Sequence, residues 1–167
     1  MSEIRVARGL FVAILAGGMA QCIHDFPMLP DRLASHFGVS GVPNGWMTKQ
    51  QFFFAYALLV LPAAALELWV PRRIAKTGDA RINLPHKDYW LAPERRTQTI
   101  ERIIDQMLFI GGITLLLLDS VFFLTMKANL TSAPSLPGEW MWGMVIGFFV
   151  ITIGWTISMI RSFKRPR

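Results

Sequence analysis

The acids and the histidine within the apolar stretches of this 167-residue chain are few: His24, Asp25, Glu67 and Asp119. Asp119 lies in "MLFIGGITLLLLDSVFFLTM" (Met107 to Met126), seven residues from its C-terminal end. At 1.5 Å per residue that is a depth of roughly 10 Å. A carboxylate held so deep in an apolar run is costly unless paired, and it marks a functional site by default. His24, four residues inside the end of the first apolar run, is the expected partner. The two would form an intramembrane polar pair in the outer half of the bundle, able to exchange a proton. The other reading is a protonated Asp119 bonded to a Ser, Thr or Trp of the bundle for packing alone. Glu67 lies one turn from the end of its run, close to Arg72, and is expected to reach water or a cation. Asp25, near the end of its own run, is expected to be wet.

His24, His36 and His86 lack the i, i+4 spacing of a zinc helix. His24 and His36 could converge with Asp25 or Asp31, which leaves metal binding open. The single Cys22 excludes an internal disulfide and any multi-cysteine metal site. No nucleophile elbow, phosphate-cradling loop or cofactor fingerprint occurs. The expectation is a non-enzymatic protein without a cofactor.

The elements that must position these residues are membrane helices. The composition is 53% hydrophobic and 17% charged, with a mean hydropathy of +0.40, which is too apolar for a soluble domain of this size. Four runs approach the roughly 20 apolar residues that a crossing requires: Gly9 to Met28, Phe52 to Val70, Met107 to Met126 and Trp140 to Ile160. The basic residues sort by loop. Arg5 and Arg8, then Arg72, Arg73, Lys76, Arg81, Lys87, Arg95, Arg96 and Arg102, then Arg161, Lys164, Arg165 and Arg167 fall on one side, against Arg32, Lys49 and Lys127 on the other. By the positive-inside rule both termini are cytoplasmic. The predicted fold is an all-α, integral membrane four-helix bundle over residues 1–167. It has an ordered extracytoplasmic loop at 29–50 and a cytoplasmic loop at 71–106. The net charge of +6 is accounted for by this bias and by attraction to anionic headgroups. The lipid bilayer is the expected partner, and nucleic acid is not.

"MSEIRVARGLFVAILAGGMA" has the form of a secretory signal and is read as an uncleaved first helix. A lipoprotein site is disfavoured because Gln21 precedes Cys22. Pro93 and Glu94 suit a first helical turn, so the third span should begin near Pro93 and project from the bilayer. Pro62 should kink the second span. Asn129-Leu130-Thr131 matches a glycosylation acceptor. "GVPNGWM" and "SLPGEWM" are read as two Pro/Gly turns, each placing a tryptophan at the outer interface.

The stretch "LPDRLASHFGVSGVPNGWMTK" carries more information than a connector needs. Pro43 and Gly45 suit a tight turn within "VPNGW", Gly45 taking positive φ. Trp46 would anchor the second helix, Phe37 would pack inward, and His36 would bond across the loop or meet a ligand. Leu29, Pro30, His36, Phe37, Gly41, Pro43, Asn44, Gly45, Trp46 and Lys49 together resemble the signature of a family of small bacterial membrane proteins, domain of unknown function 1648. The same module occurs in immunity proteins against the sporulation-delaying toxin, which are longer and signal to a repressor. "INLPHKDYWLAPERR" (Ile82 to Arg96) is also similar to members of this group, more often with Asn where His86 stands.

The resemblance implies a multi-pass protein of the bacterial cytoplasmic membrane, of the immunity or signalling type. The expected site for a peptide, toxin or partner protein is His36, Phe37, Gly41, Pro43, Asn44, Gly45, Trp46 and Lys49. A cytoplasmic regulator or a neighbouring subunit would dock at Pro85, Asp88, Tyr89 and Trp90. The alternatives are a small transporter or membrane enzyme working through Asp119 and His24, and an accessory subunit of a larger membrane complex.

Overall fold

The computed structural model describes residues 2–164, and for residues 2–5 and Arg72 the backbone alone. Arg165 and Arg167, counted above with the basic tail, lie outside the described residues, as do the side chains of Arg5 and Arg72. The chain runs α1 (Ser2–Asp25), β1 (Arg32–Phe37), β2 (Pro43–Thr48), α2 (Lys49–Lys76), α3 (Lys87–Trp90), α4 (Pro93–Asn129) and α5 (Gly138–Ser162), with short 3₁₀ turns after α1 and α2. Helices α1, α2, α4 and α5 contain four segments long and apolar enough to cross a membrane. This is a multi-pass membrane protein. Helix α4 starts at Pro93 with Glu94 in its first turn, as the sequence predicts. Helix α2 continues through Pro62 and Pro71, both inside it. Each proline removes one backbone donor, at the carbonyls of Leu58 and Glu67.

Helix α4 is the common neighbour of α1, α2 and α5. One core lies among α1, α2 and α4, where Phe11, Val60, Leu115 and Met126 are buried. A second gathers Leu91, Ile104, Leu108 and Phe163 with Ala7, Ile74 and Met159, so both ends of the described chain share one end of the bundle. Helix α5 has no buried residue. Its exposed Ile146, Phe149, Ile153 and Ile157 are the surface that hydrocarbon would cover.

At the opposite end the structure departs from the purely helical expectation. The 29–50 segment is an antiparallel β-hairpin that pairs Arg32 with Thr48, Leu33 with Met47, Ala34 with Trp46, His36 with Gly45 and Phe37 with Pro43. The register shifts between Ala34 and His36 and again between His36 and Phe37. Such bulges re-aim side chains. Leu33 and Ala34 are adjacent and give no period-2 alternation, so nothing in β1 competed with the loop reading of so many glycines and prolines.

Candidate functional site

The signature residues are largely taken up in building the hairpin and fixing it to the helices. Leu29, Leu33 and Ala34 are buried beneath it. Lys49 Nζ donates to the Leu29 carbonyl at 3.4 Å, pairs with the Asp31 carboxylate at 3.2 Å and lies over the Phe26 ring at 5.2 Å. The Thr48 side chain accepts from the Gln51 N–H, and Gln51 returns the bond to the Thr48 N–H, a capping box that starts α2. Across the strands, His36 Nδ1 and Asn44 Oδ1 are hydrogen-bonded. Gly45 stands opposite His36, where a Cβ would come within 2.9 Å of the His36 Cβ.

The turn itself is at Gly38 to Val42 and not in "VPNGW". Gly38 N–H donates to the Val42 carbonyl and Gly41 N–H to the Gly38 carbonyl, both at 2.9 Å. Positive φ falls on Gly41, at 78°, while Pro43, Asn44 and Gly45 belong to β2. Gly41 also touches the loop between α4 and α5: its carbonyl accepts from the Leu136 N–H at 3.0 Å, and a Cβ there would collide with the Leu136 carbonyl. "GVPNGWM" and "SLPGEWM" are therefore neighbours, one a strand and the other the start of a helix.

Asn129, which sequence reading treated only as a glycosylation match, is the main tie between hairpin and bundle. It is buried, and its Oδ1 accepts from the Ala34 N–H at 2.7 Å. Its Nδ2 donates to the Ala34 and Thr125 carbonyls, each at 2.8 Å. The primary amide thus takes the place of a neighbouring strand at Ala34. Between the hairpin and the ends of α4 and α5 remains a cavity of about 320 Å³, lined in part by His36, Phe37, Val39, Thr125, Met141 and Trp142. Val39 at the hairpin tip is 84% exposed, and Val42, Trp46 and Trp140 are also exposed.

Residues 13–60 match the family model described as Domain of unknown function (DUF1648). The match begins within α1, takes in the whole hairpin and ends in α2. The similarity to DUF1648 thus covers the signature read from the sequence, and Ile82 to Arg96 lie outside it. No curated protein and no solved structure matches the chain.

The DUF1648 segment also supplies half of the intramembrane polar cluster. Asp119 does not bond His24. Its Oδ1 accepts from the Tyr56 hydroxyl at 2.7 Å, and its carboxyl lies against Gly18 of α1, where a Cβ would come 2.5 Å from Oδ2. The Cys22 thiol lies beside the same hydroxyl. His24 Nδ1 is 2.9 Å from Asp25 Oδ1, with the His24 side chain 72% exposed. Asp25 is fully buried, contrary to its wet expectation, and its Oδ2 accepts from Gln21 at 2.7 Å. Tyr56 was legible by depth: it stands seven residues into α2 from Lys49, as Asp119 stands seven from Met126. Glu67 is half-buried, and the side chain of Arg72 expected near it lies outside the described residues. Its carboxyl packs on Gly111 of α4, and its Oε2 is buried without a hydrogen-bond partner among the described residues.

At the termini end the predicted docking set divides. Trp90 is held inward: its Nε1 donates to the Phe163 carbonyl at 2.9 Å, and its own carbonyl accepts from Thr99 at 2.8 Å. Tyr89 is half-buried beneath the Arg95 guanidinium, 4.1 Å from its ring centre. Arg96 closes the loop by pairing with Asp79 at 2.7 Å. Pro85 and Asp88 are exposed. Among the described residues no group of three His, Cys, Asp or Glu side chains is placed to hold a metal ion. His24 and His36 therefore form no such centre with Asp25 or Asp31.

Proposed function

We propose that this protein is a non-enzymatic membrane protein of the immunity or signalling type, which recognises an extracytoplasmic peptide, toxin or partner protein through its hairpin. The observation that carries the reading is the cavity of about 320 Å³ at the hairpin's base. One wall belongs to β1 and the turn, the other to α4 and α5. Around it stand apolar side chains, Val39, Val42 and Trp140, that no described residue covers. An apolar anchor entering such a recess, with hydrogen bonds to strand backbone around it, is a common mode of peptide capture. The termini face is then cytoplasmic. Pro85 and Asp88 are available there to a regulator or a neighbouring subunit, with Tyr89 and Trp90 serving behind them to hold the loop.

The test compares cells with and without the gene for survival against envelope-active peptides. Val39→Asp alters a side chain that supports no packing, so its effect reports recognition and not folding. Loss of resistance with Val39→Asp and Trp46→Ala, and retention with Asp119→Asn, is the expected pattern. Resistance that depends on Asp119 and ignores both hairpin variants would overturn the reading.

A further inference from the structure

A second cavity, of about 290 Å³, lies between α1 and α4 at the level of Asp119, away from the hairpin recess. Its lining is mostly apolar, with Ile14, Leu116, Phe122 and Phe123 among its walls. Its polar groups are Gln21, Cys22, Tyr56, Asp119 and Ser120, and no Lys, Arg or His is among them. Tyr56 fixes one carboxylate oxygen, and Gly18 lets the group lie close to α1. The Oδ2 atom accepts from no described residue. An ionised carboxylate within a low-dielectric wall is stabilised by a cationic donor, and the lining supplies none. Gly17, Leu116 and Phe123 of its lining are exposed, all within the spanning segments, so a ligand would arrive from lipid. Its size is at the small end for organic ligands, about 300 Å³ upward.

From these features we propose that the α1/α4 cavity binds a lipid-soluble primary ammonium ion. The ammonium donates to Asp119 Oδ2 while Tyr56 donates to Oδ1, and the apolar body of the ligand lies on Ile14, Leu116, Phe122 and Phe123. Charge-assisted bonds of this kind are about twice as strong as neutral ones. The site is independent of what the hairpin recognises.

The full chain in lipid nanodiscs is titrated calorimetrically with octylammonium chloride and with octanol, with empty nanodiscs as the background. Octylammonium is expected to bind saturably, one per chain, and roughly tenfold or more tighter than octanol, the difference one charge-assisted bond supplies. Asp119→Asn should abolish that preference. Gly17→Leu is the second variant, because Gly17 lines the cavity and a Cβ there meets nothing within 4 Å. The added Cβ meets no atom, so a leucine there has room to occupy the cavity, and it should weaken octylammonium binding by roughly tenfold or more. Equal binding of octanol, no saturable excess over empty discs, or a Gly17→Leu protein that binds like the wild type would overturn the proposal.

Discussion

Glycine at position 18 is a steric requirement of the carboxylate above it. A methyl group there would lie 2.5–2.6 Å from Asp119 Oδ2, Cγ and Oδ1, so Gly18→Ala must push α1 from α4 or displace the carboxyl from Tyr56. Overpacking of this kind costs about 1–3 kcal/mol. Tyr56→Phe removes one hydrogen bond between membrane helices, about 0.6 kcal/mol on average. Gly18→Ala is therefore expected to lower the melting temperature in detergent more than Tyr56→Phe does, and the opposite ranking would show the bond to matter more than the close approach. Glu67 of α2 on Gly111 of α4 repeats the arrangement between another pair of helices. In the sequence Asp119 announced itself as a buried acid, but Gly18 opposite it did not. Nothing in "AILAGGMA" or "FIGGIT" says which glycine faces a carboxylate, because that depends on the rotation of two helices about their axes.

The hairpin owes its position to α4 as much as to its own strands. An isolated two-stranded hairpin is marginal in water, and here the free edge of β1 at Ala34 is completed by the Asn129 amide. Asn129→Leu keeps the approximate volume but leaves the Ala34 N–H and carbonyl unpaired, at about 1–3 kcal/mol for each buried group. Hydrogen exchange is the measure: the amides of β1 and β2 should exchange faster in Asn129→Leu, while those in the middle of α4 stay unchanged. Uniform acceleration through α4 would mean that the substitution unfolds the helix and does not free the hairpin. The four spans and the start of α4 at Pro93 were readable from hydropathy and from Pro and Glu in a first turn. The strands were not, since six-residue segments carrying Gly, Pro and Asn read equally well as turns. The contact that decides between them comes from a residue 95 positions away.

Across the whole molecule, the placement of charge predicts orientation, and the structure fixes which segments share an end. The hairpin stands at one end, and the α2–α4 connection with both ends of the described chain at the other. With Cys22 replaced by Ala, Ser40→Cys should react with an impermeant maleimide on intact cells, and Ala80→Cys only after permeabilisation. Both positions are exposed, so silence at either reflects the membrane and not burial. Labelling of Ala80→Cys alone on intact cells would invert the orientation and move the proposed recognition face to the cytoplasm. The helical membrane part was legible from the sequence because length and apolarity alone decide it. The arrangement around α4 was not, since all four spans are apolar on most faces.

The separation of 95 positions between Ala34 and Asn129 also sets an order of events during synthesis. At about 5–20 residues per second, the ribosome completes the hairpin strands several seconds before the amide that pairs with Ala34 exists. The wall formed by Met141 and Trp142 comes later still. A nascent chain therefore displays an unlatched hairpin beside α1 and α2 until the third span is in place, and the recess acquires its far side only with the fourth. Chains interrupted between these points would insert into the bilayer yet carry half a recess, with the β1 edge open to any extended strand nearby.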